Sequence, residues 1–396
     1  MQLSDVVILA GKRTAIGSFG GALSSFSPAG LGTAAARSAI SQSGVLAEQI
    51  DHAVFGHIIT TSPADAYLAR HIALHAGLPV NSAAFNVNRL CGSAVQAVIS
   101  AAQLIQLGHS RIALAGGAES MSNGAYLVNN IRRGLRLGHS GITDLTLGIL
   151  SDPFGSGHMG ITAEAIAERY GFSRSALDQF AAESHSRAAH ARQQGYFSSQ
   201  IAAVTVPSNT KDLQIIEDEP IRPDTTTETL STLKAAFKKD GLITAGNASG
   251  LSDGAAALVL TSQTEANRLG VTPQARIAGY SFAGVEPALM GLGPIPAVQK
   301  LLAQTGILLS DIDVIESNEA FASQAMAVSQ TLGFDPAKTN PNGGAIALGH
   351  PVGATGAILI IKALAELQRT KGRYGLITMC IGGGQGIALM IERLDL

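Results

Sequence analysis

Apolar positions along the chain follow two alternating rhythms. Short, nearly unbroken apolar runs at 5–10, 52–58, 111–116, 257–261, 312–317 and 374–380 read as buried strands. Between and beyond them, apolar residues recur every three or four positions. That spacing predicts helices over 28–43, 65–76, 94–107, 160–170, 173–194, 294–305, 319–332 and 353–369. Strands alternating with helices imply an α/β architecture with buried sheets, whose functional residues belong at the carboxyl ends of strands and on the turns that open helices.

The same order of features occurs twice, about 260 residues apart. Glu48-Gln49-Ile50-Asp51 leads into a strand ending near Gly56, and Ser310-Asp311-Ile312-Asp313 leads into one ending near Asn318. Cys91 opens one helix, and His350-Pro351-Val352-Gly353 opens another. Ile112-Ala113-Leu114-Ala115 runs into Gly116-Gly117, and Leu376-Ile377-Thr378-Met379 runs into Cys380. Two such halves packed about a pseudo-twofold axis would bring Cys91, Asn318, His350 and Cys380 to one place. Residues 122–250 have no counterpart and read as an insertion. The expected organisation is a first half of 1–121 plus 251–270, a loop domain of 122–250, and a second half of 271–396. A basic patch inside the insertion, Arg132-Arg133-Gly134-Leu135-Arg136, suits either a solvated loop or a phosphate-facing surface.

Composition narrows the class of function. The 396 residues exceed what one small core organises. Charged residues make up only 14%, against a typical share of about 25%, so the expectation is that some surface is buried between subunits. A formal net charge of −2 gives no electrostatic case for nucleic acid. Two cysteines do not make a disulfide framework and point to a reducing compartment. The first residues run directly into the strand-like Val6-Val7-Ile8-Leu9, and no apolar run is long enough to span a bilayer. The expected location is cytoplasmic, with no membrane partner.

Four segments carry candidate chemistry. In residues 86–97, Cys91-Gly92-Ser93 reads as a sharp turn after a buried segment ending in Val87 and Leu90, and it opens the helical pattern of Ala94, Val95, Val98, Ala101, Ala102 and Ile105. A thiol at a helix N-terminus ionises more easily and becomes nucleophilic; a packed, inert cysteine is the other reading. His350 lies in the glycine-rich stretch 342–357 before a proline at a helix start, a setting suited to a general base. In Met379-Cys380-Ile381-Gly382-Gly383-Gly384 a second thiol follows a buried strand beside bare backbone N–H groups, which suits proton transfer and an oxyanion hole. No Gly-Lys-Ser/Thr follows, so a nucleotide-phosphate cradle is disfavoured. Asn318, in Ser317-Asn318-Glu319-Ala320-Phe321, would either cap a helix or serve the site.

Together with Arg13-Thr14-Ala15-Ile16-Gly17-Ser18-Phe19-Gly20-Gly21, Gly116-Gly117-Ala118-Glu119-Ser120-Met121-Ser122 and Gly246-Asn247-Ala248-Ser249-Gly250, these blocks resemble the thiolases, of the short-chain acetyl-CoA acetyltransferase type, over essentially the whole chain. The resemblance implies a thiolase fold, two similar βαβ-rich halves in a five-layer α/β/α/β/α arrangement with an inserted loop domain. It implies the reaction 2 acetyl-CoA ⇌ acetoacetyl-CoA + CoA through an acyl-enzyme, with a degradative 3-ketoacyl-CoA thiolase or a ketoacyl-synthase-like condensing enzyme as alternatives. Cys91 would be the acylated nucleophile, His350 its base and Cys380 the acid/base at carbon. Asn318 would hold a water of one oxyanion hole, and the N–H groups of Cys91 and Gly382 would form the other. His158, Arg222, Phe237, Ala248 and Ser249 would face coenzyme A, and Met159, Met290 and Phe321 would line the acyl pocket, although methionines also serve as core filler. No metal and no resident cofactor are implied, coenzyme A thioesters being substrates, and the assembly would be a homodimer or homotetramer. The sequence departs from the family pattern at Ala94-Val95 and at Gly155-Ser156-Gly157, where small residues would loosen the acyl pocket.

Overall fold

A computed structural model describes residues 5–134, 137–207 and 212–394. Leu135 and Arg136 of the basic patch lie outside the described residues. Nine strands lie along the main path of one large sheet: β1 (Val6–Thr14), β2 (His52–Gly56), β3 (Ala83–Val87), β4 (Ile112–Ser120), β5 (Ser252–Ser262), β6 (Ala275–Gly284), β7 (Ile312–Ser317), β8 (Tyr374–Ile381) and β9 (Gln385–Arg393). Their spatial order is β7-β8-β9-β6-β1-β5-β4-β2-β3.

This order contains the repeat. In the first half β1 pairs antiparallel with β5 and β5 with β4, while β4 and β2, then β2 and β3, run parallel. In the second half β6, β9, β8 and β7 reproduce those directions, and the place of β3 is taken by a single parallel bridge from Ile315 to Thr339. The halves meet where β1 lies against β6 through Val7 with Arg276 and Ile8 with Ala275. The connection from β8 to β9 is a tight glycine turn, with Gly383 and Gly384 at φ of 79° and 83°. The equivalent hairpin, from β4 to β5, is opened to admit residues 121–251.

Helices complete the layers. Helices α1 (Pro28–Ser43) and α2 (Leu68–His75) cover the outer face of the first half. Between the two sheet halves lie α3 (Ser93–Gln106) and, from the second half, a helix over Thr355–Thr370. The inserted segment carries α4 (Met159–Tyr170) and α5 (Arg174–Gln193); α6 (Pro294–Thr305) and α7 (Ala322–Leu332) cover the second half, and α8 is the Thr355–Thr370 helix. The result is the expected five-layer α/β/α/β/α stack. Helix α1 shows how local sequence sets an end: Ser27 Oγ accepts from the Gly30 N–H, Pro28 starts the first turn, and Gly44 closes the last one in the left-handed region at φ 78°. Ala94, Val95, Val98, Ala101, Ala102 and Ile105 are all buried in the central layer, as their spacing implied.

Three strands escape the apolar pattern. Strand β6 is half-buried along most of its length, β9 follows a glycine run, and β3 is a short edge strand. The segment before Cys91 is therefore not buried as expected: Phe85 is exposed, and Val87 and Leu90 are half-buried. Helix α7 starts at Ala322 rather than near 319, because Phe321 is extended and bridges to Ala248. Among the described residues no helix is long and apolar enough to cross a membrane.

Candidate active site

Cys91 sits at the end of a strained turn. Leu90 adopts φ 46°, uncommon for a residue with a side chain, and is braced by the Ser93 hydroxyl, which donates to the Leu90 carbonyl at 2.6 Å and accepts from the Arg89 N–H at 2.8 Å. Gly92 caps α3, and a Cβ there would meet Ile381 Cδ1 at 2.6 Å, so the turn presses against the strand bearing Cys380. The N–H groups of Gly382 and of Cys91 itself face the Cys91 sulfur. Burial nevertheless dominates: it pushes the thiol up to about 11 against those two donors, and the Glu119 carboxylate adds to the shift. The expectation that the helix start would favour ionisation thus gives way to desolvation, and the resting sulfur is a thiol.

His350 is presented by the turn before α8. Thr355 Oγ1 donates to the Pro351 carbonyl at 3.0 Å and lies 2.7 Å from His350 Nδ1. A Thr355 hydroxyl that donates to Pro351 accepts from Nδ1–H, and this tautomer leaves Nε2 with its lone pair. His350 Nε2 is buried and has no protein partner, and burial holds the ring down to about 4. Cys380, at the end of β8, is buried; burial and then the neighbouring Cys91 push its thiol upward.

These three side chains line one cavity of about 350 Å³. Gly382, His158, Met159, Met290 and Phe321 line it too, as do Phe237, Ala248 and Ser249. One wall is aromatic, with His158 stacked on Phe237 at 4.6 Å and Phe237 edge-on to Phe321 at 6.1 Å. His158 also caps α4, its Nδ1 accepting from the Gly160 N–H at 3.1 Å. Ile58, Met121, Leu150 and Val352 make the opposite, aliphatic side, which the sequence reading missed because each lies outside the catalytic blocks or beside them without chemistry. The small residues Gly155, Ser156 and Gly157 do not line the cavity.

Asn318 is fully buried and is not one of the side chains lining the cavity. Its N–H donates to the Thr378 carbonyl at 3.0 Å, two residues from Cys380. It does not cap α7, and both polar atoms of its buried side chain lack protein partners, a setting that calls for bound water. Arg222 is exposed and outside the cavity; its N–H donates to His185 Nδ1 at 3.2 Å. Among the described residues no cluster of His, Cys, Asp or Glu is arranged to hold a metal ion.

A thiol, a histidine with a free lone pair, a second thiol and two inward N–H groups converge from both halves of a duplicated five-layer fold. That combination defines an acyl-transfer enzyme working through a thioester. Models of the thiolase N-terminal and C-terminal domains match residues 6–264 and 271–393, and the chain belongs to the thiolase family. It is 50% identical over 391 residues to beta-ketothiolase BktB of Cupriavidus necator, covering 98% of this chain and 99% of that protein. It is 45% identical over 395 residues to an acetyl-CoA acetyltransferase of Thiocystis violacea, covering 99% and 100%. The crystal structure of human mitochondrial 3-ketoacyl-CoA thiolase superposes with a TM-score of 0.97 at 40% identity, covering 100% of both chains.

Proposed function

We propose that the protein interconverts two acetyl-CoA with acetoacetyl-CoA and CoA by a ping-pong route through an acetyl group on Cys91. The observation that carries this reading is the meeting of Cys91, His350 and Cys380 in one apolar cavity. In the thiolysis direction His350 Nε2 takes the Cys91 proton as the sulfur attacks the 3-keto carbon. The oxyanion forms against the N–H groups of Cys91 and Gly382 or against a water held by Asn318 and His350. Cleavage of the carbon–carbon bond releases the enolate of acetyl-CoA, which the Cys380 thiol protonates at carbon. Cys380 is then a thiolate, able to take the proton of incoming CoA. The CoA sulfur attacks the thioester, and the leaving Cys91 sulfur recovers its proton from His350. Condensation is the reverse of these steps. The raised thiol of Cys380 agrees with its starting as an acid, protonated and ready to deliver its proton to carbon.

His158, Phe237, Ala248 and Ser249 would seat the pantetheine arm, Arg222 the phosphates at the rim, and Met159, Met290 and Phe321 the acyl group. The enzyme would need no metal or resident cofactor. Low charge content and the exposed edge at Phe85 favour a homodimer or homotetramer, and the location would be cytoplasmic. A second reading, longer 3-ketoacyl-CoA substrates, draws on the aliphatic wall of Ile58, Met121, Leu150 and Val352. Turnover of acetoacetyl-CoA beside longer 3-ketoacyl-CoAs separates the two. The acyl-enzyme itself is tested by mass spectrometry after mixing with acetyl-CoA. Wild type should gain one acetyl group on Cys91 and Cys91→Ser none, because a hydroxyl is far harder to ionise. Equal labelling of the variant would remove Cys91 from the chemistry.

A further inference from the structure

Outside the residues assigned to the reaction, the first half buries three charged or ionisable groups in a row, Glu119, His57 and Asp65, all almost fully inaccessible. Glu119, near the end of β4, has 0% exposure. Its Oε2 accepts from the Ile58 N–H at 3.2 Å and from the Gly353 N–H at 3.0 Å, and its Oε1 from the Ile59 N–H at 3.1 Å. His57 Nδ1 lies 3.1 Å from Oε1 and 3.0 Å from the Ala118 carbonyl, and Nε2 lies 3.6 Å from Asp65 Oδ2. Asp65 is in turn gripped by the Thr61 and Ser62 N–H groups.

Those contacts cross the molecular duplication. Gly353 is three residues beyond His350 in the second half, whereas residues 57–59 follow β2 in the first. Gly56, just before them, is pressed on the start of α3: a Cβ there would meet Ala94 N, the Ser93 carbonyl carbon and Gly353 O, each at 2.8 Å. One carboxylate therefore ties the turn carrying His350 to the loop that packs beneath Cys91. We propose that Glu119, steadied by His57, is a positioning residue for acyl transfer, fixing His350 against Cys91 across the two halves.

Charge gives the pair a second effect. Burial alone would lower the His57 ring, but its contacts with Asp65 and Glu119 outweigh that and raise it to about 10. Nδ1 lies against two acceptors and Nε2, without a hydrogen-bond partner, has the Asp65 carboxylate at 3.6 Å, a setting between two carboxylates that favours the protonated ring. Cys380 and His350 share the cavity with the Cys91 sulfur, and the Glu119 carboxylate, outside that lining, adds to the raised thiol. Removing Glu119 and removing His57 should therefore move the Cys91 thiol in opposite directions, which loss of packing alone would not do.

The inference rests on the reading of Cys91 as nucleophile and His350 as base, so the experiment begins with acetylation of wild type. Failure of Cys91 to acetylate overturns that reading, whatever the variants do. With it established, Glu119→Gln should lower kcat about tenfold or more while the KM for CoA changes less than about twofold, as expected of a misplaced base. Alkylation of Cys91 by iodoacetamide, followed against pH, should have its midpoint lowered in Glu119→Gln and raised in His57→Gln. The His57→Gln variant keeps the question open to test if Glu119→Gln does not fold: a midpoint equal to that of wild type overturns the proposal. So does a pair of variants that lose thermal stability with kcat and midpoints unchanged, which would make the row a structural staple only.

Discussion

At the scale of the residue, the site separates two thiols that share a cavity by what each faces. Cys91 has two backbone donors at its sulfur, whereas Cys380 has one, its own N–H, outweighed by burial and by Cys91. The first arrangement stabilises charge that develops during attack, and the second keeps a proton available for carbon. Cys380→Ser should accordingly divide the reaction. A CoA thiolate leaves without much help, so acetylation of Cys91 from acetyl-CoA should lose far less than condensation. Proton transfer at carbon needs the second group, and condensation should fall at least about a hundredfold, within the range general acid–base groups contribute. Exchange of the acetyl methyl protons with deuterated solvent, followed by NMR, should fall in parallel. Exchange at the wild-type rate would transfer the carbon acid/base role to His350.

At the scale of the element, the duplicated strand order positions the chemistry, and small residues let the halves approach. A Cβ on Gly117 of β4 would overlap the Gly353 carbonyl, and one on Gly356 of α8 would meet the Val95 N at 2.7 Å in α3. Both obstacles are backbone or close to it, so neither can swing aside. Gly117→Ala should therefore lower thermal stability, by about 1–3 kcal/mol on the usual cost of overpacking, and lower kcat by displacing the His350 turn. A Tm and kcat equal to those of wild type would mean that this contact yields. The repeat, the helices and the catalytic blocks were legible because apolar periodicity and glycine turns are local signals. Arg13, His57, Glu119 and Lys362 were not. Each is a charged or ionisable residue in an apolar surrounding, and its partner lies far away in sequence: Arg13 pairs with Asp218 at 2.7 Å and Lys362 with Glu316 at 2.6 Å. Periodicity assigns such residues to a solvated face, and only the tertiary contact reverses that. Glu119 lies inside a motif noticed for its glycines, but nothing in the neighbouring letters announces Gly353 as its partner. The cavity's aliphatic side was hidden for the same reason, since Ile58, Met121 and Val352 come from three separate loops.

At the scale of the whole molecule, the two halves share one central helical layer, so ionisation in that layer's supports bears on global stability. His57 is the clearest case. Its folded value of about 10 exceeds the usual 6.5, so the folded protein holds a proton that the unfolded chain has released between those limits. The stabilisation is complete below about pH 6.5 and is lost as pH rises toward 10, at up to about 1.4 kcal/mol per pH unit for one proton. The buried thiols also favour the folded state's protons as pH rises, but their ordinary value is near 9 and they remain in a His57→Gln variant. The difference between wild type and His57→Gln therefore isolates the imidazolium. Urea denaturation at one protein concentration, from pH 6.5 to 9, should show wild type more stable at the lower pH and the gap closing steadily. A gap that stays constant with pH would mean that His57 is neutral in the folded protein, and Glu119 would then hold the Gly353 turn as an uncompensated buried anion.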